Sequence, residues 1–276
     1  MKIIMIGHGM VGHKFIESVL EHVGDDVEIT ILAEEPRLAY DRVHLTEYFS
    51  GKSAKDLTLC RADFADAYGI DLRLNTKAVA IDQSHKTVTT NHGDVLSFDK
   101  LILATGSYAF VPPISGNDRE NCFVYRTIED LDAIRAASLN AKSGVVIGGG
   151  LLGLEAAKAL RDLNLETHVV EFAPRLMAVQ IDDLGGKVLR AKIENLGVKV
   201  HTQKATSSIE EGATTKHVMK FGDGSELETD IILFSAGIRP RDELARQSGL
   251  ALGERGGIMI NDYCQTSNPD IYAIGE

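Results

Sequence analysis

The sequence predicts an α/β fold in two domains, each a parallel sheet with a small antiparallel β-meander, the second inserted in the first. Three observations carry this. The turn Gly7-His8-Gly9-Met10-Val11-Gly12 follows a short apolar run and opens a stretch of helical period. The same Gly-x-Gly-x-x-Gly pattern returns at Gly148-Gly149-Gly150-Leu151-Leu152-Gly153, each glycine 141 positions after its counterpart. Both copies are followed by alternating short strands, a Gly-Asp turn (Gly93-Asp94, Gly222-Asp223) and a closing apolar run. A long internal repeat of a strand–turn–helix unit with a meander makes each domain Rossmann-like.

In the first copy, Lys2 to Ile6 reads as a buried strand and Met10 to Val23 as a helix, with Val11, Phe15, Val19 and Val23 on one face. Val27 to Ala33 is the second strand and ends in Glu34-Glu35. An acid about 20 residues beyond such a turn accepts from a ribose hydroxyl pair, which favours Glu34 and leaves Glu35 open. The first glycine permits the tight turn, the second lets backbone approach a pyrophosphate, and the third lets helix and strand pack closely. The stretch 37–46 has no clear period. Arg42 within it has the chemistry of a bidentate phosphate clamp or of a solvated surface arginine. Four short strands follow, at Ile70–Leu74, Ala78–Asp82, Thr87–Thr90 and Val95–Phe98, then a buried run Leu101–Ala104 ending in Thr105-Gly106. Pro112-Pro113 and Gly116 mark a linker.

The second copy begins with a helix from Ile128 to Ala137 and a strand Gly144–Ile147, with a helix expected from Glu155 to Leu163. The strand Thr167–Val170 ends in Glu171, a helix covers Leu184 to Leu196, and the closing strand runs from Ile231 to Gly237. A carboxylate at Glu171 binds the ribose hydroxyls and repels a 2′-phosphate, so this site is expected to prefer NADH over NADPH, with Arg175 the nearest cation for such a phosphate. A helix Glu243 to Ser248 precedes a final strand that breaks off mid-motif at Glu276. The expected boundaries are 1–113 and 241–276 for the first domain and 114–240 for the second.

The totals exclude other classes. At 276 residues the chain has room for two cores. A formal charge of −11 disfavours nucleic acid, whose phosphates require clustered Lys and Arg. Three scattered cysteines, Cys60, Cys122 and Cys264, have no metal-ligand or redox spacing, so no metal site is expected within these residues and reduced cytoplasmic thiols are the default. No run approaches the ~20 apolar residues of a membrane span, so no membrane partner is expected.

Four motifs together resemble the two-dinucleotide flavoprotein disulfide reductase superfamily along the whole chain: the two glycine turns, the second extended to Leu154-Glu155, Leu103-Ala104-Thr105-Gly106, and Pro269-Asp270-Ile271-Tyr272-Ala273-Ile274-Gly275-Glu276. That resemblance implies FAD on the first turn and NADH on the second. It places Gly7, Gly9, Gly12, Glu34, Glu35, Arg42, Val79, Ala104, Thr105, Gly106 and Glu276 at the FAD site. Gly148, Gly150, Leu151, Leu152, Gly153, Glu155, Glu171 and Gly237 fall at the NAD site. Glu276 stands where the family has an aspartate toward the flavin ribityl chain.

Within the superfamily, Glu34-Glu35-Pro36-Arg37-Leu38-Ala39-Tyr40-Asp41-Arg42-Val43-His44-Leu45 resembles the N-terminal module of the large-subunit family of NAD(P)H-dependent nitrite reductases. The resemblance implies hydride transfer from NADH to FAD, then single electrons to an iron–sulfur cluster and siroheme elsewhere in a longer parent protein, where nitrite becomes ammonia. No protein acid or base is required for the hydride step. Glu155 is named only as a carboxylate near the nicotinamide or a helix-dipole cap. Two alternatives stay open: a stand-alone ferredoxin or rubredoxin reductase-like flavoprotein with a separate redox partner, and a non-catalytic nucleotide-binding module. The resemblance implies a lysine soon after Leu45-Thr46 in the rubredoxin and ferredoxin reductases, and Glu47 there argues against them. It also implies a flavin-holding helix after Glu276 and a further domain, both outside these residues, so weak FAD retention is expected and a homodimer stays open.

Overall fold

The computed structural model describes residues 1–23 and 26–276. Two compact units emerge: Met1–Arg42 with Ala54–Tyr108 and Arg239–Glu276, and Val43–Ser53 with Ala109–Ile238. The sequence boundaries at 113 and 240 thus move to 108 and 238. A larger correction concerns Val43–Ser53, which lies in the first segment of sequence yet groups with the second unit.

The first unit is a five-stranded parallel sheet in the order Ile271–Ala273, Lys100–Leu103, Lys2–Ile6, Glu28–Leu32, Asp71–Arg73. Successive residues of the central strand serve opposite faces. Ile4 and Ile6 pack with Leu101, Leu103 and Ile271, while Ile3 and Met5 pack with Ile16, Ile31 and Phe64. Burial on both faces explains the unbroken apolar run that marks a parallel strand. The helix Met10–Val23 buries Gly12, His13 and Ile16. The antiparallel meander Ala78–Asp82, Thr87–Thr90, Val95–Ser97 carries a bulge between Ala78 and Ala80.

The second unit repeats the order: Cys122–Val124, Ile231–Phe234, Ser143–Ile147, Glu166–Val170, Lys199–His201, all parallel. Its meander is Thr206–Glu211, His217–Phe221, Glu226–Thr229. The helix after the turn runs Leu151–Asp162, four residues earlier than the alanine-rich stretch suggested. Leu151 and Leu152 are 59% and 45% exposed, so they contribute no apolar stripe from which a helix start could be read. The helix Ile128–Ser138 is held by a capping box between Thr127 and Asp130.

Val43–Ser53 contributes a 3-10 helix, Leu45–Ser50, that packs against the helix Leu151–Asp162. Tyr48 donates to Asp132, and the Arg135 guanidinium lies 4.1 Å over the Tyr48 ring and donates to the Tyr48 carbonyl. Phe49 stacks on Tyr125 with centroids 6.3 Å apart. These are contacts between residues distant in sequence, which is why the segment shows no local period. No helix among the described residues is long and apolar enough to cross a membrane.

Candidate functional site

Each glycine turn is pressed onto the end of its closing strand. Gly7 has φ +100°, and a Cβ there would lie 2.2 Å from the Ala104 carbonyl oxygen; Gly148 has φ +123°, with the Ser235 oxygen at 2.2 Å. Only glycine fits such a position. The third glycine is as tight: a Cβ at Gly12 would meet the Gly7 oxygen at 2.7 Å, and one at Gly153 the Gly148 oxygen at 2.0 Å. Gly9 and Gly150, in contrast, have nothing within 4 Å of such an atom. Both turns therefore present an open backbone cradle at a helix start. Gly150 is the N-cap of its helix and offers no side-chain partner to the first N–H groups beyond Leu151 and Leu152. That geometry accepts an anion. The cradles fit the pyrophosphates of two dinucleotides.

In the second unit Glu171 closes the cradle. Its Oε2 accepts the Gly149 N–H at 2.5 Å and its Oε1 the Ala173 N–H at 2.6 Å. Its own N–H donates to the His201 carbonyl and its carbonyl accepts from Lys204. The carboxylate is thereby fixed at the C-terminal end of the sheet, beside the turn. Arg175 is committed elsewhere: it donates to the Ile181 and Ala178 carbonyls and pairs with Asp183 at 2.6 Å. The cation nearest in sequence is thus engaged in closing its own loop. Gly237, with φ +107°, accepts at its carbonyl from the Phe110 N–H.

The first unit solves the same problem with different residues. Gly7 N–H donates to the Leu32 carbonyl just as Gly148 N–H donates to that of Val170, so Ala33, not Glu34, is the counterpart of Glu171. Ala33 is 2% exposed. The two acids that follow it are both engaged. Glu34 pairs with Lys77 and Arg241; burial pulls its carboxyl up, but these two cations outweigh it and hold the group below its ordinary value. Glu35 accepts from Tyr40 Oη at 2.7 Å and pairs with Arg42. Arg42 therefore lies at the acid pair, and its ring contact with Tyr40 is 4.7 Å.

Val79 occupies the meander bulge and is 42% exposed, turned out of the ladder by the extra residue. Ala104, Thr105 and Gly106 follow the closing strand. Thr105 Oγ1 donates to the Arg241 carbonyl, whose N–H returns to Gly106. A Cβ on Gly106 would stand 3.6 Å from the Glu276 carbonyl oxygen, so this turn and the final residues meet.

Glu155 sits on the first turns of the helix Leu151–Asp162, and burial raises its carboxyl, a shift that His44 opposes. Nearby, Tyr125 donates to Thr46 at 3.3 Å, and burial pushes its phenol up to about 12. The cysteines are free and half-buried, and burial raises Cys60 and Cys122.

Sequence reasoning missed two participants. Gly149 is required because a Cβ there would meet Leu176 at 2.7 Å and Glu171 Oε2 at 3.0 Å; the triple glycine was its only signal. His8, its counterpart in the first turn, stands at a position the glycine pattern leaves unspecified, so spacing gave no signal for it.

Comparison with known proteins gives the same picture. The chain is 55% identical to the nitrite reductase (NADH) large subunit of Escherichia coli over all of its own length and 33% of that protein. It is 38% identical to the assimilatory nitrate reductase electron transfer subunit of Bacillus subtilis, again along all of this chain and 35% of the other. The chain thus spans about a third of the length of these curated relatives. Among solved structures, the NAD-dependent persulfide reductase from A. fulgidus superposes with a TM-score of 0.93 at 30% identity, covering 100% of this chain and 53% of that one. The family model described as pyridine nucleotide-disulphide oxidoreductase matches residues 1–276, and the chain therefore belongs to that family of FAD- and NAD(P)H-dependent oxidoreductases.

Proposed function

We propose that the chain is an electron-entry module: the first unit holds FAD, the second NADH, and electrons leave for an iron–sulfur and siroheme region of a longer parent protein that reduces nitrite to ammonia. One observation supports it above the others. Glu171 stands fixed by the Gly149 and Ala173 N–H groups beside an open Gly150 cradle, and the chain carries a second open cradle at Gly9. The likeness to nitrite reductase large subunits supports the terminal acceptor.

A bound flavin would supply the conversion of a two-electron donation into single-electron steps, and the protein's share is to bind, orient and tune. In this reading the helix starts behind Gly9 and Gly150 hold the pyrophosphates, with Gly7, Gly12, Gly148 and Gly153 letting backbone and helix come close. Leu151 and Leu152 present the N–H groups of the second site. Glu171 takes the NADH ribose hydroxyls, and Arg175, the cation nearest to it in sequence, is committed to Asp183. Glu34, Glu35 and Arg42 bind the adenosine and phosphate end of FAD, with Val79 beside them. Ala104, Thr105, Gly106 and Glu276 line the flavin end. Glu155 and Gly237 face the nicotinamide end.

The test is anaerobic addition of NADH to protein reconstituted with excess FAD. Loss of the visible flavin absorbance, with NADH favoured over NADPH and a dye accepting the electrons, is the expected result. Flavin that stays oxidised with NADH bound sinks the electron-entry reading.

A further inference from the structure

Position 8 is one place where the two glycine turns diverge. In the second copy, Gly149 leaves room for the Glu171 carboxylate, whose Oε2 would stand 3.0 Å from any Cβ placed there. In the first copy both partners are exchanged: Ala33 replaces the acid and His8 replaces the glycine. The equivalence rests on the constant spacing of the glycines and on the matching bonds Gly7 N–H to Leu32 and Gly148 N–H to Val170, at 2.9 and 2.8 Å. A side chain leaving position 8 enters the volume that the ribose-binding carboxylate fills in the second unit.

The His8 side chain is itself unusual. The residue is 8% exposed, and neither ring nitrogen has a hydrogen-bond partner. Its visible contact is aromatic, an edge-on meeting with His13 at 5.5 Å, and His13 in turn meets Phe64 at 4.9 Å. Buried polar groups are ordinarily paired, and a pair of orphaned nitrogens beside an open phosphate cradle calls for a polar partner. Burial and the neighbouring His13 keep the ring neutral at physiological pH, so it has one N–H donor and one bare acceptor. A vicinal diol, which donates and accepts, is the matching chemistry.

We propose that His8 is a binding residue of the first site, taking up the adenosine ribose hydroxyls of FAD in the place that Glu171 serves for NADH. The proposal rests on the reading of the first cradle as the FAD site. The exchange makes the two sites chemically distinct: an anionic acceptor receives one ribose and a neutral donor–acceptor the other. It also places the charged pair Glu34 and Glu35 one and two residues further along, where Lys77, Arg241, Tyr40 and Arg42 already hold them.

The test compares FAD with FMN, which has no adenosine ribose, by fluorescence titration of the whole chain. His8→Phe keeps a ring against His13 but removes both nitrogens; it is expected to weaken FAD about tenfold, the loss of one net hydrogen bond to a buried group, while FMN affinity stays level. His8→Gln, which retains a donor and an acceptor, is expected to recover part of the difference. Equal FAD affinity in wild type and His8→Phe overturns the proposal, and so does a parallel loss for FAD and FMN, which marks a structural role. If the wild-type chain binds no FAD, the assignment of the first cradle fails instead.

Discussion

Glu171 and Gly149 fit one another as lock and space: the carboxylate accepts the Gly149 N–H at 2.5 Å, and any Cβ at 149 would crowd that same oxygen at 3.0 Å. Glu171→Ala is expected to weaken NADH binding by about 10- to 100-fold, since it removes both the ribose acceptor and the anchor of the turn. Gly149→Ala is expected to act on the same step by displacing the carboxylate. Titration of nucleotide fluorescence checks both, and unchanged NADH affinity in Glu171→Ala would falsify its role. Because Arg175 is held by Asp183 and two carbonyls, Glu171→Ala alone is expected to narrow the NADH preference without reversing it.

The glycines of a single turn separate folding from binding. Gly148→Ala drives a Cβ into the Ser235 carbonyl from a left-handed backbone and is expected to cost about 2–4 kcal/mol of stability. Gly150→Ala meets nothing within 4 Å and is expected to fold normally while losing nucleotide affinity. Thermal melts paired with titrations give the comparison. A Gly150→Ala protein that binds NADH as well as wild type would remove that glycine from the cradle.

Acid sensitivity in the absence of cofactor is expected to trace in part to His8. Burial, with His13, lowers its pKa from 6.5 to about 4. The unfolded chain then takes up a proton at higher pH than the folded one. The stability is present above pH 6.5 and is lost as pH falls toward about 4, by about 3 kcal/mol in full. His8→Phe removes this slope, and stability measured against pH in denaturant is the readout. An identical slope in the variant contradicts the assignment.

Glu155 has the opposite sign. Its carboxyl is raised by burial, so the folded state favours the protonated form: the contribution is full below the ordinary value of 4.5 and is lost as pH rises through the folded value. Glu155→Gln is therefore expected to raise the melting temperature at neutral pH and to have no effect in strong acid. A destabilised variant at pH 7 would mean that the charge is wanted there, for instance by His44.

Arg135 tests the segment Val43–Ser53. It donates to the Tyr48 carbonyl and lies over the Tyr48 and Phe49 rings. Arg135→Ala is expected to cost about 1–2 kcal/mol and to open the segment to limited proteolysis between Val43 and Ser53. Cleavage no faster than in wild type counts against its holding role.

What could be read from sequence follows the range of the forces involved. The six fingerprint glycines were legible from their spacing, although only Gly12 and Gly153 are demanded by clearance within their own turn, while Gly7 and Gly148 are pressed on the distant carbonyls of Ala104 and Ser235. Strands buried on both faces, such as Lys2–Ile6, announced themselves by unbroken apolar runs. The 3-10 helix Leu45–Ser50 did not, because its partners Asp132, Tyr125 and Asp162 lie more than seventy residues away. Nor could spacing tell that Ala33 matches Glu171; the two connections from turn to second strand differ in length, and only the bonds from Gly7 and Gly148 fix the register.

The two sheets share one strand order but recruit the edge strand beside the closing strand from opposite sides of their own sequence segments. In the second unit that strand, Cys122–Val124, precedes the fingerprint; in the first, Ile271–Ala273 comes last of all. During synthesis the second sheet has all its strands once Phe234 has left the ribosome, with Leu45–Ser50 already waiting. The first sheet, begun at Lys2, stays open along Lys100–Leu103 until Ile271 arrives. The half that starts first is the half that finishes last, and for that interval its apolar edge is the surface a chaperone would meet.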